Sequence, residues 1–183
     1  MKILNWQVAY TTVAFLLFNS WLFATAQTSN APIPSCSAAQ LSFALDDENG
    51  NFNGTSHSGT LLVLRNLGPN ACTVPRRPEL DFEDAAHHSL PISLEVPRGM
   101  HPGPVIPPVV IPVGAEVTSQ LRWVSGDAFG GNNSLSPAFI RLSIGADALR
   151  LKFTGRLFAA VGKQPTYSAT LFKPDPVYRT YNP

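Results

Sequence analysis

Proline is the feature that most restricts how this chain folds. The 183 residues include 17 prolines, and nine of these lie between Pro75 and Pro112. Proline lacks a backbone N–H and its ring clashes with the preceding helical turn, so long α-helices do not pass through such a stretch. The sequence therefore predicts extended segments and turns there. Only residues 35–40, SCSAAQ, are compatible with a helical turn.

Short segments of alternating apolar and polar residues lie on both sides of this stretch. In residues 116–125, for example, Val117, Leu121 and Trp123 fall on one face and Arg122 falls on the other. Alternation with a period of two is typical of a strand with one buried and one solvated face. Eight segments are predicted to be strands: 41–45, 60–66, 79–84, 92–96, 116–125, 138–144, 149–153 and 167–172. Of these, 60–66 is apolar on both faces, as expected for a central strand. The sequence therefore predicts an all-β fold, a single antiparallel β-sandwich of the immunoglobulin-like kind.

Three segments between these strands are predicted to be loops. They span residues 46–59, 97–115 and 125–134, and they are rich in polar residues, glycine or proline. The pair Pro107-Pro108 restricts any strand in the second loop to a sheet edge, because proline cannot donate to the strand ladder.

The N-terminus has the pattern of a secretory signal peptide. Lys2 supplies a positive charge, residues 8–23 are mostly apolar, and residues 24–26, Ala-Thr-Ala, fit a small-x-small cleavage site. We therefore predict that residues 1–26 are removed on export and that no membrane span remains afterwards. An uncleaved anchor is the alternative. The apolar run of 16 residues is short for a span of about 20 residues.

The exported part of the chain contains two cysteines, Cys36 and Cys72. Two thiols in an oxidising compartment have one possible intramolecular pairing, so we predict a Cys36–Cys72 disulfide. A metal site needs more ligands at suitable spacing, and neither cysteine has an adjacent histidine to activate it. A lipoprotein is disfavoured because Cys36 lies ten residues beyond Ala26 and does not follow the apolar run directly.

The composition indicates one neutral globular domain. Removal of residues 1–26 leaves 157 residues (183 minus 26), which is enough for a domain with its own core. The chain has 13 Lys+Arg and 12 Asp+Glu, so the loss of Lys2 makes the two counts equal. With no basic surface indicated, we expect no binding to nucleic acid or to anionic lipid.

One loop partly resembles a calcium-binding motif. In the segment DDENGNFNG, residues 46–54, the side chains of Asp47, Asn49 and Asn51 have the spacing of calcium ligands. Phe52 occupies the sixth position, which requires glycine, and the bidentate glutamate of the twelfth position is missing. A solvated turn is the simpler interpretation.

The segment GTSHSG places His57 between two serines and suggests a hydrolytic pair. Such a pair needs an orienting acid and an oxyanion hole, and the Gly-x-Ser-x-Gly frame that usually presents the serine is absent. We therefore assign no catalytic residue to this loop.

The adjacent histidines His87 and His88 lie close in sequence to Asp84, and His101 follows in the proline-rich loop. Each could contact a metal ion. Neighbouring side chains on a strand point to opposite faces, however, so His87 and His88 would chelate a metal poorly. We interpret them as part of a surface turn and predict no metal or cofactor site.

Charged residues of both signs follow the second cysteine. Arg76 and Arg77 precede a strand in which Glu79, Asp81 and Glu83 alternate with apolar residues. An alternating acidic row of this kind is usually a solvated face, so we predict that these three carboxylates are exposed.

The stretch from Asn66 to Cys72 reads Asn-x-Gly-x-x-x-Cys and directly follows an apolar strand. With this motif, the chain from Cys36 to about Pro176 resembles the family known as domain of unknown function 4232, whose members are exported bacterial domains. Further matching positions are Leu41, Gly54, Gly59, Pro78, Val113-Gly114, Leu121, Trp123, Phe172 and Pro174. The resemblance implies a β-sandwich, supports the Cys36–Cys72 pairing and implies no activity.

The chain departs from the family pattern in two respects. Many members carry a second cysteine pair, with one cysteine after the tryptophan and one before the last strand, and this chain has neither. Members also often have glycine and an aromatic residue before the strand proline, where this chain has Arg76-Arg77. The comparison therefore implies a single covalent cross-link and a different surface around the two arginines.

These observations predict a signal peptide (1–26), a linker (27–35), the β-sandwich domain (36–176) and a tail (177–183). Sandwiches commonly bind partners through end loops or edges. We therefore expect a periplasmic or secreted, non-catalytic binding module whose partner is an unidentified envelope protein or ligand. The alternative is a metal- or small-ligand-binding carrier, or an enzyme, that uses the loop of His57 or that of His87 and His88.

Overall fold

The computed structural model describes residues 32–95 and 105–175, which form short β-strands joined by turns. Two single turns of 3-10 helix, Ala38–Gln40 and Glu48–Gly50, also occur in these residues. The strands are β1 (Leu41–Asp46), β2 (His57–Asn66), β3 (Cys72–Val74), β4 (Leu80–Glu83), β5 (Ser93–Leu94), β6 (Val109–Ile111), β7 (Glu116–Val124), β8 (Asn132–Leu135), β9 (Phe139–Ile144), β10 (Asp147–Lys152), β11 (Leu157–Ala160), β12 (Thr166–Ala169) and β13 (Lys173–Pro174).

The strands form two main sheets and two ribbons. The larger sheet has the order β1-β2-β7-β12-β5, and β13 also pairs with β7. The second sheet has the order β10-β9-β4, and the ribbons are β11-β8 and β3-β6. All pairs are antiparallel except β12 with β5, which is parallel.

Strand β2 is an interior strand of the larger sheet, as its apolar sequence predicts. It pairs with β1 on one side and with β7 on the other. Leu62 and Leu64 point into the core and are fully buried, whereas Leu61 and Val63 on the opposite face are half-buried. A strand covered in part on both faces needs apolar residues at successive positions, which explains the run LLVL.

Aromatic side chains join the two sheets. The ring of Phe82 on β4 contacts the rings of Tyr167 on β12 and Phe153, each at a centroid distance of 5.3 Å. Trp123 on β7 is buried and lies 5.2 Å from the same Phe153 ring. The Tyr167 hydroxyl donates a hydrogen bond to the backbone oxygen of Leu80. The prediction of an all-β antiparallel sandwich with one disulfide is therefore confirmed, and the immunoglobulin-like arrangement is compatible with these sheets.

The long alternating segments were predicted better than the short ones. Strand β8 begins inside the loop predicted for residues 125–134, because its sequence NNSL has low strand propensity and is held by pairing with β11. The segment predicted for 92–96 contributes only the two-residue β5, and Val96 lies outside the described residues. Strand β6 follows Pro107-Pro108 and pairs with β3 alone in the described structure, as expected for an edge.

No helix within residues 32–95 and 105–175 has the length and apolar character needed to cross a membrane. The predicted signal peptide, most of the linker and the tail beyond residue 175 fall outside the described residues.

Candidate functional site

The disulfide joins the segment before β1 to strand β3. Cys36 and Cys72 are bonded, are both buried, and have Cα atoms 4.9 Å apart. On either side of the bond, the Cys36 backbone N–H donates to the oxygen of Thr73 and the Thr73 N–H donates to the oxygen of Pro34, each at 2.9 Å. The sulfur atoms are therefore part of the architecture, and no free cysteine occurs in the described chain.

The motif Asn-x-Gly-x-x-x-Cys is a structural unit at the end of β2. Asn66 is fully buried, and its amide nitrogen donates to the backbone oxygens of Asn70 and Ile111 at 2.8 and 3.0 Å. Its amide oxygen accepts from the N–H of Gly68 at 2.9 Å. A Cβ atom on Gly68 would lie 3.0 Å from the Cβ of Gln40, so this position favours glycine. The motif thus fixes the turn that delivers Cys72 to the disulfide.

A cavity of about 370 Å³ lies directly beside the disulfide. Three chain segments form its walls: Ser35 before β1, residues 73–77 with Glu79 in and after β3, and Ile106 with Pro108 before β6. Ser35 and Thr73 are the immediate neighbours of Cys36 and Cys72 and form a parallel β-bridge to each other. The cross-link therefore holds two walls of the cavity together.

Two arginines give the cavity its chemical character. The Nε atom of Arg76 is buried and has no hydrogen-bond partner among the described residues, and neither Arg76 nor Arg77 forms an ion pair with them. The Arg76 backbone is fixed, because its oxygen accepts a 2.7 Å hydrogen bond from the N–H of buried Phe172. Guanidinium groups in this setting can bind an anion through paired N–H donors.

The acidic row predicted after the arginines is not uniformly exposed. Glu83 is only 3% exposed, so the prediction was wrong for this residue. The guanidinium of Arg150 covers the carboxylate with two hydrogen bonds of 2.6 and 3.1 Å, and the His87 ring contacts it at 3.2 Å. These contacts hold the pKa of the Glu83 carboxyl below its ordinary value, with the Arg150 hydrogen bonds as the main cause and burial opposing them.

His87 and His88 lie in a turn stabilised by Asp84. One Asp84 oxygen accepts the backbone N–H groups of Ala86 and His88 at 2.8 and 2.9 Å, and the hydrogen bond from His88 is the main reason why the pKa of this carboxyl is lowered. The His87 ring faces Glu83 and also lies against the ring of Phe139, at a centroid distance of 4.6 Å. The His88 ring faces Asp84 instead.

The two imidazoles therefore contact different carboxylates and do not converge on a common point. Within the two described ranges, no group of three or more His, Cys, Asp or Glu side chains is placed to hold a metal ion. His101 lies outside those ranges.

In the loop between β1 and β2, the acidic side chains form hydrogen bonds with backbone groups of the same loop. Asp46 and Asp47 accept the backbone N–H groups of Glu48 and Asn49, and Phe52 is buried. His57 contacts Ser56 through Nδ1 at 3.0 Å, and this pair is exposed. Neither the calcium ligand set nor a Ser-His-acid array is assembled from these described side chains.

Sequence reasoning did not find the cavity, although it noted the arginine pair. Its walls come from segments near residues 35, 75 and 107, and their proximity depends on the disulfide and on the β3-β6 pairing. The available signal was the placement of Arg76-Arg77 between Pro75 and Pro78, where the chain departs from the family pattern it resembles.

No curated protein and no solved structure gives a significant match to this chain. A family model, described as Domain of unknown function (DUF4232), matches residues 36–169. That range runs from the first cysteine to the end of β12 and includes the Asn66 turn, the disulfide and every strand of the two main sheets except β13. The resemblance seen in the sequence is confirmed, and the chain belongs to the DUF4232 family.

Proposed function

We propose that this protein is an exported, non-catalytic binding module of the bacterial cell envelope and that the cavity beside the disulfide is its binding site. The observation that carries the proposal is half-buried Arg76, which lines this cavity and has neither an ion-pair partner nor a hydrogen-bond partner for its Nε–H among the described residues. The exposed Arg77 adds a second positive charge beside it. A charged side chain that lines a cavity without an ion-pair partner in the protein is typical of a ligand-binding site, because buried charges in a structural core are usually paired.

Export is supported by two independent features. Residues 1–26 have the three-part pattern of a signal peptide. The Cys36–Cys72 disulfide fits an oxidising compartment outside the cytoplasm, where such bonds form and persist.

A binding role is favoured over catalysis by the chemistry of the cavity walls. Their polar side chains are two arginines, one glutamate and the hydroxyls of Ser35 and Thr73, and the remaining wall residues are apolar. The described lining contains no histidine or cysteine. The hydroxyl groups of Ser35 and Thr73 form no hydrogen bond to a basic side chain of the lining. This set can hold and orient a ligand, but it does not pair a nucleophile with a base.

The alternative is a metal- or small-ligand-binding carrier, or an enzyme, at the His57 loop or the His87–His88 loop. It has less support, because His87 and His88 contact Glu83 and Asp84 separately. Metal analysis of the mature protein tests it directly. Stoichiometric zinc or copper that is lost when both His87 and His88 are replaced by alanine would favour the carrier over our proposal.

Site-specific photocrosslinking in cells tests the binding role. A photoreactive amino acid at Ile106, an apolar wall position of the cavity, is expected to capture a defined species, detected as one reproducible mass increase. The matched control places the same group at the exposed Ala85, beyond the far end of β4. Equal capture from both positions, or none from position 106 in a folded and oxidised protein, would contradict the proposed site.

A further inference from the structure

We propose that the cavity binds the carboxylate of a small apolar organic acid, with Arg76 and Arg77 as the anion-binding residues. The inference rests on the proposed binding role and names the chemical class of its ligand. In this proposal the two arginines bind the carboxylate, and the apolar wall residues contact the hydrocarbon part of the ligand.

The first argument is the state of Arg76. Arg76 as a whole is half-buried and lines the cavity, while its Nε–H is shielded from solvent and has no hydrogen-bond partner among the described residues. An unpaired donor in this position is unfavourable, so a turn of the side chain toward an acceptor in the cavity is favoured. A carboxylate meets this need, because its two oxygens match the parallel N–H donors of a guanidinium group. The hydrogen bond from Phe172 to the Arg76 backbone fixes the chain at this point before a ligand arrives, which lowers the entropic cost of binding.

The second argument is the charge balance of the walls. Arg76 and Arg77 contribute two positive charges and Glu79 contributes one negative charge, which leaves a formal charge of +1 (2 minus 1). A monoanion neutralises this formal charge, whereas a phosphate dianion would leave the occupied cavity with a net charge of −1 (1 minus 2) and has no apolar body to cover the hydrocarbon wall. The walls therefore favour a carboxylate over phosphate.

The third argument is the apolar part of the lining. Val74, Pro75, Ile106 and Pro108 contribute hydrocarbon surface to the same cavity. A volume of about 370 Å³ lies near the lower end of the range for small-molecule sites. An acid with a compact apolar body, such as an aromatic ring, fits both the size and the surface better than acetate does.

NMR of the ¹⁵N-labelled mature protein tests this inference with benzoate as the probe. The Nε–H of Arg76 is shielded from solvent, so it is expected to give its own signal, and saturating benzoate is expected to shift that signal. Benzamide, which has the same shape without the charge, is expected to cause no saturable shift. Acetate and inorganic phosphate are expected to bind at least about tenfold more weakly, since each lacks either the apolar body or the matching charge.

Three variants complete the experiment. R76Q and R77Q are each expected to weaken benzoate binding by about tenfold or more, because each removes a charge-assisted contact. R122Q is the matched control, since Arg122 is an exposed arginine on β7 outside the cavity lining. Thermal unfolding of all three variants verifies that the fold is retained.

The inference is overturned if benzoate causes no saturable shift at Arg76, if benzamide binds equally well, or if R76Q and R77Q both bind like R122Q. Stronger binding of phosphate than of benzoate would overturn the carboxylate assignment. If capture at position 106 in cells persists while benzoate fails, the ligand class is wrong and the binding role stands. If both fail, the proposed function fails as well.

Discussion

The side-chain amide of Asn66 donates a hydrogen bond to the backbone oxygen of Ile111, 3.0 Å away and 45 residues further along the chain. This contact joins the end of β2 to the end of β6. The same buried side chain also holds the oxygen of Asn70 and the N–H of Gly68. One asparagine therefore fixes both the turn before Cys72 and the strand that pairs with β3.

Replacement of Asn66 by alanine is expected to lower the free energy of unfolding by about 3 kcal/mol, because it leaves several buried backbone groups without partners. Urea unfolding monitored by circular dichroism measures the change. N70A is the control, since only the backbone of exposed Asn70 takes part in the contact. A loss equal to that of N70A would show that the Asn66 hydrogen bonds contribute little.

Removal of the disulfide in the double variant C36S/C72S is expected to lower the free energy of unfolding by about 3–4 kcal/mol, because the 36-residue separation then adds chain entropy to the unfolded state. The benzoate affinity is expected to fall too, since Ser35 and Thr73 are held by this bond. Reduced wild-type protein should match the double variant in stability. Unchanged benzoate binding after reduction would mean that the β-bridge alone holds the cavity walls.

Glu83 is expected to make stability depend on pH in the acid range. Its pKa is lowered in the folded protein from an ordinary value of 4.5. Its stabilising contribution is therefore fully present above that value and is lost as the pH falls through the lower folded value. The E83Q variant should lose less stability than wild type between about pH 5 and pH 2, as measured by thermal unfolding across this range.

The partner variant R150Q is expected to be more destabilising at neutral pH than E83Q. Loss of Arg150 leaves a carboxylate buried beside His87, whereas loss of the Glu83 charge leaves a half-exposed guanidinium that water can solvate. E95Q, at an exposed position, is the control. Equal stability of R150Q and E95Q would rule out an energetic role for the ion pair.

Gly155 is expected to tolerate no side chain. A Cβ atom there would lie 2.5 Å from Cζ of Phe153 and 2.8 Å from Cζ2 of Trp123, and both rings are buried. G155A should therefore cost about 2 kcal/mol through overpacking and should shift the fluorescence of Trp123, which lies against the substituted position. G130A is the control, because nothing lies within 4 Å of the added atom. Equal stability of the two variants would contradict this packing.

The parts of the fold that could be predicted are those determined by local pattern. The alternation in β7 placed Val117, Leu121 and Trp123 in the core, and all three are buried. The positions of Glu83 and Arg76 could not be predicted in this way. Glu83 is buried by Arg150, which lies 67 residues away in sequence, and the Arg76 cavity is closed by segments from three parts of the chain.

The position of the disulfide has a mechanical consequence. Strand β1 lies at the edge of its sheet, pairs with β2 alone among the described strands, and begins at Leu41, after Cys36 and the 3-10 turn Ala38–Gln40. A pulling force applied from the N-terminal side reaches Cys36 first and passes through the sulfur–sulfur bond to β3. The six residue pairs between β1 and β2 therefore bear little of this load, and an attachment at the N-terminus can be strained without peeling the edge strand from the domain.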